Sequence, residues 1–246
     1  MKQININKKK SVCIDSVLYM ACVDTETIGT LDNPKPFEIG IKIINVLTKE
    51  IVFQMSYLVR RYFNNKDVMS CSFSANKYPK YLEMAQDKKS YFIGSVRDIM
   101  KRINKALERF NVSIMMAHNG TFDKMAINNL CNEFGIINPF DRLDLLDTME
   151  ISKIITYSKD YVDFCKNNEN IKLANNESAF ITNSGRVRLT AQAIYAYLIN
   201  NPKYQEEHTA LADIDIEIAI LYASLERLGN RQVFLNTAPT WREYMN

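Results

Sequence analysis

The chain is poor in the residues that announce several common protein classes. It holds two histidines, one tryptophan and five cysteines in 246 residues. The cysteines (Cys13, Cys22, Cys71, Cys131 and Cys165) are odd in number and nowhere form a C-x-x-C pair. That pattern argues against a disulfide framework and against a structural zinc site. Cys22 and Cys131 lie in apolar segments and read as buried thiols. No run approaches the roughly 20 apolar residues of a membrane-spanning helix. The polar, basic start with Lys8-Lys9-Lys10 lacks the apolar core of a signal peptide. Internal repeats and low-complexity blocks are absent. The expectation is a cytoplasmic protein with no membrane partner. Charge of one sign is also scarce: the net charge is +3, which permits a local nucleic-acid patch without requiring one.

What the chain has in quantity is a globular composition, 47% hydrophobic and 24% charged. Its abundant Asn, Ile and Lys suit an AT-rich genome, such as that of a phage or a low-GC bacterium. A strand should end near Glu26, with further strands over 37–46 and 51–59 joined by short turns, an antiparallel meander. Helical spacing of apolar residues follows over 96–110. A short strand over 113–117 then leads through His118-Asn119-Gly120 into a helix over 121–134. A fifth strand over 144–148, a helix from 149, a hairpin around Asn183-Ser184-Gly185, and helices over 190–199 and 209–228 complete the pattern. The expected fold class is α/β: a mixed five-stranded sheet, antiparallel meander plus parallel strands, flanked by helices. The expected organisation is a leader over 1–15, one domain over 16–230 and a loosely packed tail over 231–246. Residues 60–90, read as a loop with short helices, and residues 158–188 look like insertions.

Three segments carry the chemistry. Asp24 and Glu26 stand two apart at the end of the first strand, so both side chains point to one face. Two like charges so placed are commonly relieved by a divalent cation, though a solvated strand end also shows this pattern. Asp123 falls in the first turn of the helix after His118-Asn119, where a metal ligand or a simple helix-start acid would both fit. His208 opens the last long helix, and Asp213 sits in it among Ala210, Leu211, Ala212 and Ile214. A carboxylate at a core edge is costly unless it is paired or bound. Asp215 and Glu217, which alternate with apolar residues, are expected to face solvent.

Together, Val-Asp-Thr-Glu-Thr at 23–27, Ala-His-Asn-x-x-Phe-Asp at 117–123 and His-Thr-Ala-Leu-x-Asp at 208–213 resemble the three motifs of the DEDDh, or DnaQ-like, 3′→5′ exonucleases of the ribonuclease-H-like superfamily. Glu38-Ile39-Gly40 and Asp147-Thr148 are also similar to recurrent segments of that family. The resemblance runs from about residue 17 to 228, with 60–90 and 158–188 outside the motifs.

The resemblance implies a ribonuclease-H-like fold and a two-metal-ion phosphodiesterase. Asp24, Glu26, Asp123 and Asp213 would hold two divalent cations, Mg²⁺ or Mn²⁺, as suits hard oxygen ligands. His208 would take a proton from the attacking water, and a nucleoside 5′-monophosphate would leave. Thr25 through its backbone, Glu26, His118, Asn119 and Phe122 are the candidates for holding the last nucleotides. The implied partner is a single-stranded nucleic-acid 3′ end, DNA first and RNA second, with a DNA polymerase as an optional companion. Arg186 and Arg188 either contact a phosphate backbone or line a solvated hairpin edge. A non-catalytic nucleic-acid or polymerase-binding module is the remaining reading.

Overall fold

The computed structural model describes residues 10–70, 78–229 and 231–236. In chain order these form β1 (Lys10–Cys13), β2 (Tyr19–Ile28), β3 (Lys35–Asn45) and β4 (Ile51–Val59), then the short helices α1 (Arg60–Phe63), α2 (Lys66–Ser70) and α3 (Tyr78–Met84). After β5 (Tyr91–Gly94) come α4 (Val96–Arg109), β6 (Ile114–Ala117), α5 (Gly120–Glu133) and β7 (Asp144–Asp147). The C-terminal part holds α6 (Thr148–Ile151), α7 (Lys153–Thr156), α8 (Lys159–Asn167), α9 (Ala191–Leu198), α10 (Ala210–Leu228) and β8 (Gln232–Leu235).

The main sheet runs β5-β4-β3-β2-β6-β7. β2, β3 and β4 are the antiparallel meander, while β5 joins β4, β6 joins β2 and β7 joins β6 in parallel. The sheet therefore has six strands, one more than the sequence pattern suggests. The extra strand, Tyr-Phe-Ile-Gly, is too short to show an alternation of its own.

The pleat sends alternate residues to opposite cores. Ala21, Val23, Ile39, Ile41 and Ile43 pack with Ile99, Ile103 and Leu107 of α4 and Ile127 and Leu130 of α5. Met20, Cys22 and Ile44 pack with Ile214, Leu221 and Leu225 of α10. By the same alternation Asp24 and Glu26 lie on the α10 face and Thr25 on the α5 face. Gly40, opposite Asp24 in the ladder, is where α10 comes closest. A Cβ there would sit 2.6 Å from Ala210 Cβ and 2.9 Å from the Ala210 carbonyl carbon. Gly40→Ala should therefore lift α10 from the sheet and cost about 1–3 kcal/mol. A denaturation midpoint unchanged from wild type would show that the helix yields freely.

Residues 10–13 and 232–235 are paired with each other. β1 and β8 pair antiparallel from Lys10–Leu235 to Cys13–Gln232, Ile14 is fully buried, and Val233 and Leu235 face the core while Phe234 is exposed. Two four-residue strands from opposite ends of a chain leave no local signal of their pairing. Lys8, Lys9, Cys71 and Trp241 lie outside the described residues. In 158–188 a helix, α8, precedes a loop held by single bridges, Lys172–Ser178 and Ile181–Val187. The expected hairpin is reduced to the second bridge, with Gly185 at φ +80° in its turn. Arg188 is bound within this loop, donating to the Ser178 carbonyl at 2.7 Å and to Glu177 at 2.6 Å.

Candidate active site

The three motif segments meet at the C-terminal end of β2. Asp24 and Glu26 come from the strand itself, whose regular pairing breaks at a bulge after Glu26. Asp123 comes from the first turn of α5, and Asp213 from the first turn of α10. Donor atoms of Glu26, His208 and Asp213 lie within 4.8 Å of one another. Asp24 lies in the combined negative field of Asp123, Glu217, Asp213 and Glu26. The five residues proposed from the motifs are thus brought together.

Specific contacts hold Asp123 and His208. Thr25, reaching from the α5 face, donates its hydroxyl to Asp123 Oδ1 at 2.7 Å. His208 adopts a left-handed backbone, φ +49°, immediately before α10, and its Nδ1 lies 3.6 Å from Glu206 Oε2. Behind it stands a network absent from the motif reading. Glu38, the ladder partner of Glu26, is fully buried in β3 between Phe37 and Ile39. Its Oε1 accepts from Ser56 at 2.6 Å, and its Oε2 accepts from the Ala210 N–H at 3.2 Å and from Tyr81 at 2.5 Å. The Tyr81 hydroxyl also lies 3.3 Å from the His208 carbonyl. Glu38 thereby caps α10, and Tyr81, from the 60–90 insertion, steadies the turn that carries His208. A carboxylate inside the apolar run of β3 was the available sequence signal.

The proposed substrate-holding residues divide. Both ring nitrogens of His118 are engaged: Nε2 donates to the Leu189 carbonyl at 2.7 Å, leaving Nδ1 to accept from Thr148 at 2.9 Å. Burial pushes its pKa down to about 4, so the ring is neutral at ordinary pH. The side chain ties the end of the 158–188 segment to the β6–α5 turn and leaves no ring nitrogen for a nucleotide, which narrows the substrate-contact expectation to the ring face. Asn119 holds the left-handed turn at φ +60°, and its N–H donates to Asp147 Oδ1 at 2.9 Å. Phe122 is partly exposed beside Asp123 in the first turn of α5.

Glu217 corrects a second expectation. It is 3% exposed, and Oε1 accepts from the His118 backbone N–H at 3.0 Å. Asp213 and Glu217 are four apart, one turn of a helix, and share a face; the two-residue alternation was the wrong period for this segment. Asp215 does lean outward and pairs with the buried Lys42. Asp147, noted in the sequence only as part of a family-like segment, is buried as well, with Oδ1 accepting from Asn119 and from Met149 at 3.0 Å.

Burial, then mutual repulsion, holds Asp24 and Glu217 well above the usual carboxylate range. Burial pushes Asp123 up to about 7 and Asp147 to about 6. This concentration of hard oxygen donors, with one imidazole, fits divalent cations of the Mg²⁺ or Mn²⁺ kind. The linkage has a definite sign. Asp123 keeps its proton to about pH 7 when folded but releases it near 3.8 when unfolded, so stability falls as pH rises between those values. Metal-free protein should therefore melt at progressively lower temperature from pH 4 to pH 8, and added Mn²⁺ should reverse the loss at pH 8. A melting temperature that rises over this range without metal would contradict the buried cluster.

No protein-family profile matches the sequence, and no curated protein matches it. Solved structures do. The nuclease domain of 3'hExo, a DEDDh family member bound to rAMP, superposes with a TM-score of 0.57 at 12% identity, over 91% of this chain and 98% of that one. E. coli Exonuclease I in complex with a dT13 oligonucleotide gives 0.55 at 12% identity, over 86% of this chain and 42% of the enzyme. Exonuclease I from Methylocaldum szegediense gives 0.56 at 15% identity, over 87% and 41%. The chain spans less than half of the two Exonuclease I chains, and almost all of the 3'hExo nuclease domain. The six-stranded mixed sheet with its flanking helices is thus the fold of the 3'hExo nuclease domain and of these Exonuclease I chains.

Proposed function

We propose that this protein is a divalent-cation-dependent 3′→5′ exonuclease that releases nucleoside 5′-monophosphates from single-stranded or frayed DNA 3′ ends. The observation that carries the reading is the convergence of Asp24, Glu26, Asp123, His208 and Asp213 at the end of β2, on the fold of known 3′-exonucleases. Asp24, Glu26 and Asp213 would hold one Mg²⁺ or Mn²⁺, and Asp24 with Asp123 a second. Such a pair of ions, when bound, stabilises the attacking and leaving oxygens of an in-line displacement.

The rest of the work belongs to the chain. Glu206 Oε2 stands 3.6 Å from Nδ1 of His208, and the imidazole, when neutral, would accept the proton of the attacking water. Thr25 keeps Asp123 in place by its hydroxyl, while its backbone, Asn119 and Phe122 border the space for the terminal nucleotides. Glu26 is close enough to the centre to meet a terminal 3′-hydroxyl.

E. coli Exonuclease I in complex with dT13 supports the DNA reading, and 3'hExo bound to rAMP supports RNA trimming as the second. The choice turns on how the pocket treats a 2′-hydroxyl. Matched single-stranded DNA and RNA of one sequence, digested side by side in Mg²⁺ or Mn²⁺, test it. Faster DNA shortening is expected; faster RNA shortening would make the protein an exoribonuclease. Binding of both without cleavage would favour the non-catalytic module.

A further inference from the structure

We propose that Glu217 is a fifth carboxylate of the cation centre, held by the His118 N–H through Oε1 and presenting Oε2 to the ions; this rests on the exonuclease reading above. Three observations lead there. Glu217 lies one helical turn beyond Asp213 on the same buried face of α10, so the two carboxylates approach the end of β2 side by side. Only one of its oxygens is used by the protein: Oε1 takes the His118 N–H at 3.0 Å, whereas Oε2 is buried and has no hydrogen-bond partner among the described residues. The charged groups acting on it most strongly, Asp123, Asp213 and Asp147, are all acidic. Lys42, the buried lysine on the same sheet face, is already paired with Asp215.

A structural acceptor for one N–H does not need a carboxylate. A glutamine of the same shape would accept that bond without adding negative charge to a site already crowded with it. A buried oxygen with no partner is costly unless something absent from the protein satisfies it. Among four other acids, a divalent cation is the ligand that does so, and it removes the repulsion as well. The arrangement also joins the cations to the architecture. An ion held by Glu217 is linked through Oε1 to the His118 backbone, and so to the turn that starts α5 and places Asp123. His118 in turn carries Leu189 and the 158–188 segment. Cation binding would then order the turn, the first residues of α5 and the end of that segment together.

The test uses the full chain stripped of metal and titrated with Mn²⁺ by calorimetry, alongside thermal melting with and without the ion. Glu217→Gln keeps the acceptor for His118 and removes the charge. It is expected to weaken Mn²⁺ binding roughly 10- to 100-fold, to shrink the rise in melting temperature that Mn²⁺ produces, and to leave the metal-free protein at least as stable as wild type at neutral pH. Glu217→Met, which removes both charge and acceptor, should lose Mn²⁺ affinity to a similar extent. Wild-type affinity in Glu217→Gln with loss only in Glu217→Met would overturn the proposal and leave Glu217 as a prop for the His118 turn. Wild-type protein that takes up no Mn²⁺ would overturn the exonuclease reading itself, so the two failures are distinguishable.

Discussion

Replacing Asp24 with asparagine is expected to reduce hydrolysis about a thousandfold or more while leaving the protein folded. Asp24 stands where the negative fields of Asp123, Glu217, Asp213 and Glu26 overlap, and it is the one acid proposed to touch both cations. Asparagine keeps the volume and one acceptor oxygen but not the charge. Losing several kcal/mol of charge stabilisation in the transition state is enough for a thousandfold effect, since each 1.36 kcal/mol is about tenfold in rate. The fold should gain, because burial and repulsion already make the Asp24 charge unfavourable without cations. The predicted signature is therefore opposed: activity nearly lost, metal-free melting temperature equal or higher. Circular dichroism melts and initial rates on the same preparation check it. Substantial activity in Asp24→Asn would remove Asp24 from the centre.

The second large effect belongs to His208. His208→Ala is expected to lower the rate by about 10²–10⁴-fold, the usual worth of a positioned general base. Mn²⁺ affinity should change little, because Asp24, Glu26, Asp123 and Asp213 remain. The side chain is well placed for proton transfer, with its donor atom within 4.8 Å of those of Glu26 and Asp213 and its Nδ1 facing Glu206. Loss of Mn²⁺ binding together with activity would instead make His208 a ligand. Full activity would end the general-base assignment.

The distribution of what the sequence shows follows from how local each signal is. The meander is visible because β3 and β4 are long and bounded by turn residues, and α4 and α5 because their apolar spacing is regular. The four motif acids and His208 are visible because each sits at the junction of a recognisable element. What escapes notice is set by distant partners. The ring-nitrogen partners of His118 lie 30 residues away at Thr148 and 71 away at Leu189. Glu38 belongs to a family-like segment, but its work shows only where Tyr81 and Ala210 meet it from opposite parts of the chain. Glu217 is different, because its helix was recognised: a 3.6-residue period applied from Asp213 onward places it inside. The alternation Ile-Asp-Ile-Glu-Ile belongs to strands, and it misled within a helix.

The measurement that bears most directly on the central claim is product analysis on an end-labelled strand. Single-stranded DNA carrying a 5′ label would be incubated with the protein in Mg²⁺ or Mn²⁺, beside the same strand with a blocked 3′ end and a control in EDTA. A ladder shortening one nucleotide at a time from the free 3′ end, with nucleoside 5′-monophosphates released and no reaction in EDTA, is the predicted result. Internal cuts, shortening from the 5′ end, or an intact strand with Mn²⁺ demonstrably bound would contradict it.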